Sequence, residues 1–326
     1  GTIYGGGYKG DVIGDTYVEI GTGEWLNFTG QRETTDADGK IYTYNTTTKK
    51  WDWTKKVGDN TESGTADSKP APARNAATIT GNVFGGGEGE AKDSGDRAFF
   101  CESGMVGIDG DGVENPAGGT SVIIANGTVG TLDNDNKLVA GTGNVYGGGE
   151  VSRVEKNTVV TIGVTPKEDE TIDNTKFKPT IWGSVFGAGK GVDTHGYSAL
   201  VRGNSTVTIQ GFAKVGESVY GGGEIASVGR YNVVDGRPTS LKNPNSGNCI
   251  VTVCDNAEIG PDNMTMFHVD GSGNIVANDQ PDNSGHVFGA GKGAMPVANY
   301  TTAQQMTNGN TMAGFASEAD YLKFIE

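Results

Sequence analysis

Ser205-Thr206-Val207-Thr208-Ile209-Gln210-Gly211, continued by Lys214-Val215-Gly216-Glu217-Ser218-Val219-Tyr220-Gly221-Gly222-Gly223-Glu224, holds three short stretches separated by glycine. Alternation of apolar and polar residues over so few positions predicts strands with one side turned to a core. Three such strands with glycine corners take about the length of chain that one turn of a β-solenoid needs. The closing word of this unit is a β-branched residue, an aromatic and Gly-Gly/Ala-Gly. It returns as Ile3-Tyr4-Gly5-Gly6-Gly7, Val83-Phe84-Gly85-Gly86-Gly87, Val145-Tyr146-Gly147-Gly148-Gly149, Val185-Phe186-Gly187-Ala188-Gly189, Val219-Tyr220-Gly221-Gly222-Gly223 and Val287-Phe288-Gly289-Ala290-Gly291. A word repeated with variable connections predicts an array in which each unit covers its neighbour's edge. The expected fold is all-β: a parallel β-helix (β-solenoid) of about six coils with loop and hairpin insertions, spread over residues 1–326.

A second signal precedes most words, an apolar pair in an alternating stretch: Val18/Ile20, Val122/Ile124, Val160/Ile162, Val207/Ile209 and Val251/Val253, with a weaker Ala77/Ile79. Glycine is expected at the corners because bends call for positive φ or close backbone approach. Ala188 and Ala290 show that the middle position of the word needs to be small, whereas the outer two are the constrained ones. The aromatic alternates as Tyr4, Phe84, Tyr146, Phe186, Tyr220, Phe288, with the three phenylalanines equally spaced, so the unit of repetition reads as a pair of coils. The residue after the word alternates from the third copy as Glu150, Lys190, Glu224, Lys292, which predicts an opposite-sign ladder at a stacking distance of about 4.8 Å. Glu88 beside Glu150 interrupts it, and an ordinary solvated edge is the plainer alternative, each exposed pair contributing at most about 1 kcal/mol. The aromatics share strand parity with Asn82, Asn144, Ser184, Ser218 and His286, so they are expected to point away from the valine core. They then form either an external interaction strip or a floor covered by the chain's own loops.

Of the 326 residues 34% are hydrophobic and 55 are glycine, too lean for one large globular core and sufficient for a thin axial one. The net charge of −15 opposes binding to nucleic acid and to anionic lipid surfaces. No run of 18 or more apolar residues is present, so no direct membrane insertion is expected. The chain opens on Gly1 within a repeat word, which reads as a piece of something longer. Three cysteines make no disulfide framework; Cys249 and Cys254 fall on opposite faces of one strand, and Cys101 reads as a loop thiol.

Four connections are long, at about residues 23–76, 92–119, 165–180 and 229–284. In the first, Ile41-Tyr42-Thr43-Tyr44 and Lys49-Lys50-Trp51-Asp52-Trp53-Thr54 read as a hairpin. Trp25, Tyr42, Tyr44, Trp51 and Trp53 are the candidate platform for a sugar ring, against the alternative that cross-strand rings simply stabilise the hairpin. Pro70-Ala71-Pro72 reads as its stiff return link. Cofactors are not expected. Calcium is the one ion the composition touches on, through Asp36/Asp38, Asp109/Asp111 and Asp133/Asp135, yet none completes a known loop and turn formation accounts for them. His195, His268 and His286 fall in separate units, and no word ends in the Gly-Lys-Ser/Thr of a phosphate loop. No catalytic residue is assigned and an enzyme is not expected, although a polysaccharide-degrading β-helix is the alternative from that class.

The words Val145–Glu150 and Val219–Glu224 (Val-Tyr-Gly-Gly-Gly-Glu) and Val185–Gly191 and Val287–Gly293 (Val-Phe-Gly-Ala-Gly-Lys-Gly) resemble repeats of large surface or secreted proteins of gut Bacteroidota. The resemblance covers the repeat cores, implies an extracellular or cell-surface setting, and supplies no functional residue. The expected role is that of a structural or adhesive protein, assembling end to end as a homo-oligomer, with a glycan or host-surface ligand as the alternative partner. Residues 301–326 are expected as an extension, with Ser317–Glu326 a short amphipathic helix serving as cap or docking element.

Overall fold

A computed structural model describes residues 1–27, 31–90, 103–107, 117–165, 177–192, 199–229, 231–234, 237–241, 245–261, 267–269, 271–277 and 285–293. Cys101, Asp109, Asp111, His195 and the whole extension at 301–326, with Ser317–Glu326 in it, lie outside the described residues. Among the described residues the chain is all-β with no helix, and three of its sheets are parallel.

Each word supplies one strand of a six-stranded sheet, in the order Ile3–Tyr4, Val83–Phe84, Val145–Tyr146, Val185–Phe186, Val219–Tyr220, Val287–Phe288. A second sheet stacks Thr16–Ile20, Thr120–Ile124, Thr158–Ile162, Ser205–Ile209 and Cys249–Val253 in unbroken register. A third stacks Ala77–Ile79, Gly127–Val129, Thr180–Ile181, Lys214–Val215 and Glu258–Ile259. Two further columns of single bridges run alongside: Tyr8, Glu88, Glu150, Lys190, Glu224, Lys292, and Val12, Val106, Val154, Val201, Val228. In each of the three parallel sheets equivalent residues of successive repeats are therefore direct neighbours.

This corrects one grouping from the sequence. Ala77/Ile79 is no weak member of the valine–isoleucine series but opens the third sheet, pairing with Gly127–Val129. The insertion separates Thr16–Ile20 from Ala77–Ile79, so one repeat is spread across both.

The inward columns of all three sheets meet in one core, Val18, Val122, Val160, Val207 and Ile20, Ile124, Ile162, Ile209 facing Val83, Val145, Val185, Val219 and Ile79, Val129, Ile181, Val215. Burial of each such side chain favours folding by about 1.5–3 kcal/mol before the entropy of ordering is subtracted. Val106, Val154, Ala188 and Val201 form a smaller core.

Close approach, not positive φ, demands the word glycines, none of which has φ in the left-handed region. A Cβ on Gly85, Gly147 or Gly187 would collide with the carbonyl oxygen of the equivalent glycine one repeat on. Positive φ is found instead at corners such as Gly163 (φ 93) and Gly211 (φ 63), after the second-sheet strands.

Polar columns lock the stack. Hydroxyls of Thr16, Thr120, Thr158 and Ser205 donate to the carbonyl oxygens of Gly85, Gly147, Gly187 and Gly221 at 2.5–2.6 Å. Side-chain oxygens of Asn157 and Asn204 accept the N–H of Asn204 and Asn248. Cys249 occupies the next place in the hydroxyl column, a half-buried free thiol that is a weaker donor. Cys249→Thr is expected to raise the urea midpoint at unchanged m, by about 1 kcal/mol of stability. An unchanged midpoint would mean that this column does not stabilise the last repeat.

Candidate functional site

Two features stand out, the aromatic–charge ladder along the word sheet and the aromatic insertion. In the ladder, successive rings from Tyr4 to Phe288 stack with centroids 4.5–5.2 Å apart and planes within 5–12°. Phe84, Tyr146, Phe186 and Tyr220 are buried and form a cluster separate from the valine core. The strip is thus a covered one, not an external surface.

The column four residues after the aromatic explains the alternation. Tyr4 Oη donates to Glu150 Oε2 and Tyr146 Oη to Glu224 Oε2, each two repeats on. Lys190 Nζ lies 2.8 Å from Glu150 Oε1 and Lys292 Nζ 3.2 Å from Glu224 Oε1, so both carboxylates use both oxygens. Phe84 and Phe186 sit two repeats below Lys190 and Lys292. An ammonium has no lone pair to accept from a phenol, so a hydroxyl there would gain no acceptor. Tyrosine stands below glutamate and phenylalanine below lysine. Burial first, then Glu224, pushes the Tyr146 phenol well above its usual range; burial and then Glu150 do the same at Tyr4. Glu88 has no lysine in the rung above it, as the sequence indicated.

The insertion is larger than the expected hairpin. Glu24–Leu26, Arg32–Thr35, Ile41–Asn45, Lys50–Val57 and Asn60–Ala66 form a five-stranded antiparallel meander. Cross-strand pairing sets Tyr42 opposite Trp53 and Tyr44 opposite Trp51, so these four share one face. Trp25 pairs with Glu33, which pairs with Thr43, and so belongs to the other face. The expected five-ring platform is a four-ring cluster, because strand alternation sends Trp25 away.

Within the cluster Tyr42 is buried and its hydroxyl donates to Asp36 at 2.9 Å. Burial and that bond push its phenol up to about 12. Trp53 lies close over Gly64, where a Cβ would meet the indole at 2.7 Å, and Lys40 Nζ sits 4.8 Å from its ring centroid. Tyr44 and Trp51 are tilted by 54° at 5.2 Å, and Tyr44 is exposed. Trp25, Trp51 and Trp53 are each half-buried, and Trp25 is held through its Nε1 donating to Glu33 at 2.9 Å.

The aspartate pairs build turns. Asp36 Oδ1 accepts the N–H of Asp38 and Lys40, and Asp133 Oδ1 accepts those of Asp135 and Lys137. Gly39 (φ 77) and Asn136 (φ 58) occupy the same left-handed place in the two loops. Although burial opposes it, the backbone N–H of Lys40, the Tyr42 hydroxyl and the N–H of Asp38 hold the Asp36 carboxyl below the usual range. Among the described residues no three His, Cys, Asp or Glu side chains gather as a metal would need.

His286 stands beside the word, its N–H donating to Ser218 Oγ at 3.2 Å and its ring 5.7 Å from that of Phe288. A buried group that sequence reasoning missed is Glu155, flanked by Arg153 at 2.5 Å and Arg202 at 3.2 Å. Arg202 follows Val201 as Glu155 follows Val154, and this equivalence in the minor valine column was the available signal.

No family model, no curated protein and no solved structure matches this chain.

Proposed function

We propose that the chain is a parallel β-solenoid of the extracellular space or cell surface that serves as a structural or adhesive scaffold, extending by end-to-end stacking. The observation that carries this reading is the ladder: rings stack over all six words, and at Tyr4–Glu150–Lys190 and Tyr146–Glu224–Lys292 hydroxyl, carboxylate and ammonium are matched along the stacking direction. Such matching serves length and stiffness, since inner repeats are satisfied by their neighbours. The asparagine column likewise bonds from repeat to repeat, Asn157 Oδ1 accepting the N–H of Asn204 and Asn204 Oδ1 that of Asn248. Electron microscopy of the purified chain over a concentration series tests the assembly. Filaments lengthening with concentration are expected, and particles of constant size at every concentration would refute end-to-end extension.

A second reading is favoured by one observation, the adjoining rings of exposed Tyr44 and half-buried Trp51 on the meander. Here the insertion retains a glycan by ring stacking. Tyr44→Ala and Trp51→Ala are each expected to lower retention on a glycan array about tenfold or more. Equal retention by both variants and the parent chain would dismiss it.

A further inference from the structure

The last three described strands of the parallel sheets leave an end unlike the rest of the stack. Val287 and Phe288 are 49% and 42% exposed, whereas Val219 and Tyr220 one repeat below are 0% and 2% exposed. Val253 at the same end is 42% exposed, whereas its inward-facing equivalents Ile124, Ile162 and Ile209 are 0% exposed. The first repeat is better covered, with Val18, Ile20 and Ile79 at 6–7%. Among the described residues the edge formed by Val287–Phe288, Cys249–Val253 and Glu258–Ile259 is the open one, and strand edges invite addition of another strand.

One atom says what that strand should carry. Tyr220 Oη is buried and has no carboxylate to donate to, only the Ser218 hydroxyl of its own stretch of chain lying near it. Its equivalents, Tyr4 and Tyr146, each donate to a glutamate two repeats on, and two repeats on from Tyr220 is one repeat beyond Phe288. A carboxylate at that place would give the buried hydroxyl the charged acceptor that its equivalents have, which is the stronger kind of hydrogen bond. The rung directly below that place holds Lys292, whose ammonium favours an anion above it as Lys190 is flanked by Glu150 and Glu224. The aromatic alternation asks for a tyrosine over Phe288 at the same time.

We propose that the open end receives one further repeat of the tyrosine–glutamate type, a parallel strand reading Val-Tyr-Gly-Gly-Gly-Glu, whose carboxylate accepts the Tyr220 hydroxyl and pairs with Lys292. This rests on the stacking of repeats proposed above and names the chemistry of what stacks; the start of a second copy would set Tyr4 over Phe288 but Tyr8 where the carboxylate is asked for, so the full joint needs a glutamate-bearing repeat such as Val145–Glu150. The partner is recognised by a carboxylate four residues after an aromatic, not by apolar surface alone. Such addition would give the last repeat the burial that inner repeats already have.

A peptide copying residues 218–226, Ser-Val-Tyr-Gly-Gly-Gly-Glu-Ile-Ala, and its counterpart with lysine for the glutamate are titrated against the full chain by fluorescence anisotropy up to millimolar peptide. The glutamate peptide is expected to bind at least tenfold tighter than the lysine peptide. Tyr220→Phe, which keeps the stacked ring, should remove most of that preference without unfolding the chain. Equal binding of the two peptides, no binding of either, or a preference that survives both Tyr220→Phe and Lys292→Gln would overturn the inference. Filaments observed together with equal peptide binding would leave extension standing and reject only this joint.

Discussion

Gly147→Ala is expected to destabilise the chain by about 3 kcal/mol or more, far beyond what one added methyl group costs at an ordinary glycine. The added Cβ would run into the carbonyl oxygen of Gly187 and lie 3.0 Å from Val160 Cγ2, both fixed by the neighbouring strands. Neither can yield alone, because Gly187 is bonded through its own carbonyl to Thr158 at 2.6 Å. At the neighbouring position a Cβ on Gly148 would also meet backbone, at 2.6 Å from Gly189 N and 2.8 Å from its Cα, but Ala188 already stands at the middle of its own word, its N–H reaching Gly222 O at 3.2 Å where Gly86 reaches Gly148 at 3.0 Å, so a small shift accommodates the methyl there and Gly148→Ala should cost less than Gly147→Ala. Gly14→Ala is the control, with no atom within 4 Å of the new methyl and an expected change within about 0.5 kcal/mol. Urea unfolding of the three variants decides the matter. A Gly147→Ala midpoint no lower than that of Gly14→Ala would show that close approach is not why the word keeps glycine.

Tyr146→Ala should cost about 3–5 kcal/mol, since it opens a cavity between the rings of Phe84 and Phe186 and deprives Glu224 of its donor. Tyr146→Phe isolates the hydroxyl, the ring being of a kind already present on either side. Its expected cost is about 1.5–3 kcal/mol, the range for a hydrogen bond to a charged group. The two variants also differ in their dependence on pH. Burial and Glu224 raise the Tyr146 phenol in the folded chain, so the folded state holds that proton more tightly than the unfolded state does. This stabilising contribution is complete below about pH 10, the ordinary tyrosine value, and declines as pH rises beyond it towards the folded value. Unfolding free energies measured from pH 8 to 11 should fall more steeply for the parent chain than for Tyr146→Phe. Parallel curves would show that the hydroxyl is not shielded as the structure describes.

Much of the fold was legible because its periodicities are short. The pairs from Val18/Ile20 to Val251/Val253 fall in one sheet, and the unit Ser205 to Tyr220 does contain the strands Ser205–Ile209, Lys214–Val215 and Val219–Tyr220. Ala77/Ile79 was misgrouped because strand alternation reports which residues face a core, not which wall of it they build. The ladder's charges were readable from Glu150 to Lys292, but the tyrosine–glutamate bonds skip a repeat, and nearest-neighbour reasoning does not reach that far. Trp25 was joined to the other rings by proximity in sequence, whereas its face is set by pairing through Glu33 and Thr43. The Arg153, Glu155 and Arg202 group comes together only because two repeats stack, and composition carries no trace of it.

The skipped rung bears on how such a chain can change length. Excising the single repeat that carries Phe186 and Lys190 would leave Tyr146 two positions below Lys292 and Phe84 two below Glu224, mismatching both. Gaining or losing repeats two at a time keeps donor and acceptor in step. Duplications in pairs should therefore be tolerated where single ones are not, and the molecule can be lengthened only like a ruler whose smallest division is two.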